Sequence, residues 1–87
     1  MDENLLRLDR QRNIGPKSAQ WLASVGLHTV EDLEELGTVA AWRRMKAAGH
    51  PVTLNMAWAL EATLLGLDWR ALPADVKARL RAELGRD

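Results

Sequence analysis

The sequence predicts an all-α protein, a compact bundle of five or six short helices. Three observations carry this expectation. Ala, Leu, Arg and Glu dominate the 87 residues, while Val, Ile and Thr are sparse, and that balance favours helix over sheet. No segment alternates apolar and polar residues for long enough to read as a strand. Caps and breakers, from Pro16 and Gly26 through Thr29, Gly37 and Thr53 to Gly66 and Pro73, fall at the spacing of short helices.

Taken in order, Asn4 to Asp9 places Leu5, Leu6 and Leu8 among charges and reads as a short first helix. Arg10 to Gly15 breaks that pattern. Pro16 suits a first helical turn, where its missing N–H is no loss, so Pro16 to Ser24 is the next helix, with Ala19, Leu22 and Ala23 on one side and Trp21 near it. Gly26 is placed to end it, with Leu27 as the apolar lock. Thr29 is an N-cap with Asp32 three residues on, in capping-box style, and Val30, Leu33 and Leu36 face inward. Gly37 closes that helix and Thr38 is expected to cap the following one, in which Val39, Trp42 and Met45 recur every third residue. Gly49 to Val52 is a loop. Thr53 caps the helix expected to be most buried, with Leu54, Ala57, Trp58, Leu60, Leu64 and Leu65 on a wide apolar surface and Glu61 its single charge. Gly66 ends it. Asp68 to Leu72 forms a brief turn with Trp69 folding back over the core. Pro73 starts a final helix with Leu72, Val76, Leu80 and Leu84 as its ladder.

Length allows one domain, residues 1–87, with residues 1–4 and 85–87 expected to fray. Such a small chain buries roughly 60–65% of its unfolded surface, leaving a thin stability margin. There is no cysteine, which excludes disulfides and thiolate chemistry. No apolar run reaches the ~20 residues of a membrane span, and the start lacks the signature of a signal peptide; a cytoplasmic location without membrane contact is the expectation. Net charge is zero, but residues 1–36 carry four basic and seven acidic side chains and residues 37–87 eight and five. A strong nonspecific nucleic-acid binder would show a basic excess.

The best-defined local feature is the turn from Arg12 to Ala23. Ile14 would plug the joint between two helices, Gly15 would permit a close or positive-φ backbone, and Ala19 would let the second helix approach. Free N–H groups at the start of that helix form a nest suited to a phosphate oxygen, with Lys17 and Arg12 adding charge. This stretch resembles the helix-hairpin-helix element of DNA-repair proteins, a SAM-like arrangement. Gly15 and Ala19 match the second glycine and the small residue, and Asn13, a residue tolerant of left-handed geometry, stands in place of the first glycine. A wider resemblance spans Arg12 to Leu22, Val25 to Leu33, Leu36–Gly37, Leu54 to Glu61 and Leu67 to Arg70. On these motifs the chain resembles the TfoX C-terminal domain family. TfoX, also called Sxy, regulates natural competence in bacteria. The resemblance implies a helical, hairpin-containing domain of a bacterial cytoplasmic regulator, either stand-alone or part of a two-domain protein, with no catalytic residue to carry over.

The phosphate or DNA-contact candidates are therefore Arg12, Asn13, Gly15, Lys17 and Ser18. Arg43, Arg44 and Lys46, joined by Lys77, Arg79 and Arg81, form a candidate basic patch. Glu31, Glu34 and Glu35 are its acidic counterpart, and the two suit protein docking or self-association. Trp21 and Trp69 are the candidate anchors for a protein partner. His28 and His50 have no metal-ligand spacing, so no metal or cofactor is expected. Ser18 and Ser24 lack a nucleophile elbow. Gly15-Pro16-Lys17-Ser18 lacks the spacing of a P-loop. The expected function is a non-enzymatic regulatory or protein-interaction module, with a protein partner such as a transcription component. The alternative is weak, salt-sensitive, sequence-independent DNA binding through Asn13 to Lys17.

Overall fold

A computed structural model describes residues 7–85. Leu8–Arg10 forms a 3-10 turn, followed by α1 (Pro16–Ser24), α2 (Val30–Leu36), α3 (Thr38–Ala47) and α4 (Leu54–Leu65). A second 3-10 turn (Trp69–Ala71) leads into α5 (Ala74–Leu84). Expectations for residues 1–6 and 86–87 lie outside the described residues.

Each helix is fixed by its ends. α1 closes as a Schellman motif: the Leu27 N–H donates to the Leu22 carbonyl at 2.9 Å and the Gly26 N–H to the Ala23 carbonyl at 3.0 Å, with Gly26 at φ 86° and Leu27 buried behind it. α2 opens on the expected capping box. The Thr29 hydroxyl accepts from the Asp32 N–H at 3.1 Å, and the Asp32 carboxylate accepts from the Thr29 and His28 N–H groups at 3.1 and 2.9 Å. α4 opens on Thr53, which accepts from the Met56 N–H.

Leu8, Leu22, Leu33, Met45 and Leu60 are fully buried in one cluster; Ile14 joins them, plugging the turn before α1 as expected. Trp42, Ala57 and Leu84 form a second cluster where α3, α4 and α5 meet. α4 packs against α2, α3, α5 and the second 3-10 turn, which makes it the central helix. The N-terminal segment is held against the α1–α2 loop, where the Leu8 N–H donates to the His28 carbonyl at 3.0 Å. The Cα radius of gyration is 12.0 Å, as expected for a compact chain of this length (about 12 Å). Among the described residues, no helix is long and apolar enough to cross a membrane.

Four local expectations are corrected. Gly15 is the N-cap of α1 at φ −80° and a Cβ there meets open space; an extended N-cap requires neither positive φ nor close approach. Asn13 is not left-handed, because no non-glycine among the described residues has positive φ. Thr38 does not cap α3. Gly37, at φ 89°, ends α2 and caps α3 together, so Thr38 falls inside the first turn, buried, with its hydroxyl donating to Glu61 Oε1 at 2.7 Å. Leu65 is 51% exposed. Leu64 takes the core side, and the next residue is turned by about 100°.

Candidate interaction surface

The turn before α1 is held by one side chain. Asn13 Nδ2 donates to the Leu67 carbonyl at 2.7 Å and to Thr63 Oγ1 at 3.4 Å, and Asn13 Oδ1 accepts from the Trp69 N–H at 3.0 Å. A carboxamide has both donor and acceptor, so it ties this turn to the segment linking α4 to the second 3-10 turn. Beside it, Arg12 reaches Asp68 at 3.7 Å. The other oxygen of Asp68 caps the 3-10 turn by accepting from the Arg70 N–H at 2.9 Å. Of the phosphate candidates, Asn13 is thus engaged in holding the fold, while Arg12 stays largely exposed in its ion pair. Gly15 caps α1 with no side chain over its first turn, Lys17 is exposed, and Ser18 is half-buried.

The segment pinned by Asn13 carries the large apolar side chains exposed among the described residues: Leu65 at 51%, Leu67 at 37% and Trp69 at 37%. They form a ridge. A groove of about 330 Å³ runs beside it, lined by Asn13, Ser18, Trp21, Asn55, Met56 and Trp69 among others. The fold thereby brings the two anchor candidates, Trp21 and Trp69, to one groove. Trp21 is stiffened by His50, whose ring stacks on it with centroids 5.2 Å apart and planes 13° from parallel. Arg70 sits over the Trp69 ring at 5.7 Å, within cation–π range.

Sequence reasoning missed the two leucines of the ridge, the His50 stack and Asn55. The signal for the ridge was the alternation Leu65, Leu67, Trp69 across Gly66 and Asp68, where the helical period no longer holds. Ser24 Oγ lies 2.9 Å from His50 Nε2, but this hydroxyl donates to the Trp21 carbonyl at 2.6 Å. The imidazole nitrogen is then the donor, and the pair holds the ring in place instead of activating a nucleophile.

Of the candidate basic residues, Arg43, Arg44 and Arg79 line one groove between α3 and α5 together with Glu61 and Glu83. Arg79 pairs with Glu61 at 2.8 Å, completing a chain that starts at the Thr38 hydroxyl. Arg43 donates to the Glu83 carbonyl and Arg44 to that of Val25, at 3.3 and 3.4 Å. Lys46 lies over Trp42 at 5.3 Å. Lys77 and Arg81 lie over Trp58 at 5.1 and 5.8 Å. Lys46, Lys77 and Arg81 do not line the groove that holds Arg43, Arg44 and Arg79. Glu31, Glu34 and Glu35 are exposed on α2. Asp32 titrates below the ordinary aspartate range, because the backbone N–H groups of His28 and Thr29 stabilise its carboxylate. Asp9 is lowered chiefly by its hydrogen-bonded ion pair with Arg7.

These features define a small all-α domain with a rigid turn before α1 and an apolar ridge locked to it. The chain belongs to the TfoX C-terminal domain family, whose model matches residues 3–84. The crystal structure of an uncharacterized protein from Listeria monocytogenes is similar, with a TM-score of 0.81 and 28% identity over 86% of this chain and 85% of that one. No curated protein matches the sequence.

Proposed function

We propose that this domain is a non-enzymatic regulatory module of the competence-regulator class that works by holding a protein partner on the Leu65–Leu67–Trp69 ridge. The observation that carries this reading is the ridge itself: three large apolar side chains within five residues, on a backbone fixed by Asn13. Exposed large apolar side chains grouped this closely in the chain suit an interaction site, and a backbone held in place loses little entropy on binding. Family membership supports a regulatory role of this kind in a bacterial cytoplasm.

DNA binding is the second reading. It is favoured by the first turn of α1, whose N–H groups no side chain caps. It is weakened by the engagement of the Asn13 side chain with the α4 segment. The test compares the wild type with Leu65→Ser/Leu67→Ser in affinity purification from the native cell, alongside a duplex-DNA titration followed by amide NMR. The expected result is a protein recovered by the wild type and lost by the variant, with the Lys17 and Ser18 amides unmoved by DNA. Recovery indifferent to the ridge, together with DNA shifts at those amides, overturns the proposal in favour of the second reading.

A further inference from the structure

Resting on that interaction-module reading, we infer that the partner inserts an uncharged, proline-rich segment in polyproline II form between Trp21 and Trp69. Trp21 comes from α1 and Trp69 from the second 3-10 turn, so two indole rings wall the groove from separate elements. One face of each ring is already covered, Trp21 by His50 and Trp69 by Arg70. Neither His50 nor Arg70 lines the groove, so the uncovered sides of the rings are the ones turned toward it. No carboxylate and no cation lines it either. What it offers besides apolar surface is hydrogen-bond donors. The Ser18 hydroxyl and the Asn55 carboxamide line it without a hydrogen-bond partner among the described residues, so both can donate to the carbonyls of a bound segment. The Asn13 carboxamide in its wall is fully used within the fold.

These observations separate the ways in which proteins hold peptides. Strand addition needs an exposed strand edge, and the isolated Arg7–Thr29 bridge does not line the groove. A docked helix, about 10–12 Å across with its side chains, needs a long apolar trough, and this groove holds about 330 Å³. An acidic or phosphorylated motif needs arginines in the lining, and there are none. A proline-rich segment needs aromatic walls for its rings and donors for its carbonyls, which have no partner within a polyproline II helix. The groove provides both. Such a segment is also preformed, so it loses little entropy on docking, which suits a site this small.

The test is an NMR titration of the domain with three probes: end-blocked decaproline, an end-blocked glycine–serine peptide of equal length, and an oligothymidylate. Decaproline is expected to shift the Trp21 and Trp69 indole N–H signals, and the glycine–serine peptide to leave them in place. Asn55→Ala is expected to weaken decaproline binding about fivefold, the worth of one hydrogen bond. Asn55→Asp is expected to weaken it at least as much, since it keeps the shape and replaces a donor with an acceptor. Position 55 lies in the first turn of α4, where negative charge favours the helix, so that loss is not one of folding. Indoles unmoved by decaproline overturn the inference, as do shifts that both Asn55 variants retain in full. So do equal responses to the two peptides, an oligothymidylate that moves the same indoles at lower concentration, or dilution shifts at those indoles without any peptide. A ridge-dependent partner recovered from cells, with indoles indifferent to decaproline, sinks the groove inference and leaves the interaction module standing. Decaproline binding that needs Asn55, without any ridge-dependent partner from cells, sinks the ridge and leaves the groove as a proline site.

Discussion

Asn13 shows how much one side chain decides. Its three hydrogen bonds reach residues 50 to 56 positions away in the chain, so it closes the loop between the turn before α1 and the end of α4. Asn13→Ala leaves the Leu67 carbonyl and the Trp69 N–H without this partner and is expected to cost about 2 kcal/mol, read from urea unfolding. Asp32 acts at the same scale through titration. Its folded-state pKa lies below the ordinary value, so its contribution is fully present above about pH 4 and is lost as the pH falls through the depressed value. Thermal unfolding from pH 6 to pH 2.5 is expected to show a shallower fall for Asp32→Asn than for the wild type.

At the scale of elements, end chemistry does most of the specifying. Thr29→Ala removes one half of a capping box and is expected to cost about 1 kcal/mol. The opposite change is available at α1. Gly15 is extended, has open space at its Cβ position and provides no side-chain cap. Gly15→Ser is therefore expected to raise stability by a few tenths to about 1 kcal/mol, since serine caps the free first-turn N–H groups and restricts the unfolded chain. The same substitution is expected to reduce whatever phosphate affinity that helix end has, so one variant measures both properties. α3 and α4 are joined differently, through the buried Thr38 hydroxyl on Glu61. Thr38→Val is expected to cost about 1–2 kcal/mol, because a half-buried carboxylate is left with Arg79 as its remaining partner.

For the whole molecule, stability and interaction are separated in space. Met45 is fully buried between α1, α3 and their neighbours, and Met45→Ala is expected to cost about 2–5 kcal/mol, a large fraction of what so small a domain possesses. Leu65→Ser/Leu67→Ser removes side chains that already face solvent. It is expected to change stability by under about 0.5 kcal/mol per site while abolishing partner recovery. If the double variant unfolds instead, the ridge belongs to the core and carries no interaction.

The sequence alone determined the helices, because their signals are local. Thr29 with Asp32, Thr53, Pro16, and Gly26 followed by Leu27 each act within five residues, and each element they delimit was legible from spacing. Leu22, Leu33, Leu80 and Leu84 were legible as core for the same reason, since a 3.6-residue period places them on one face. The family too was legible, from the order of these motifs. The tertiary structure decided what no local rule contains. Asn13 read as a substitute for a hairpin glycine, but its partners lie on α4 and beyond, and only packing brings them within reach. The six basic residues read as one patch, but packing brings Arg43, Arg44 and Arg79 to one groove and sets Lys46, Lys77 and Arg81 over tryptophan rings. Leu64 and Leu65 are chemically identical, and which of them is wet depends on where the neighbouring helices lie. The interaction ridge is thus a product of assembly: local sequence sets which surfaces a helix has, and long-range contacts set which of those surfaces remain uncovered.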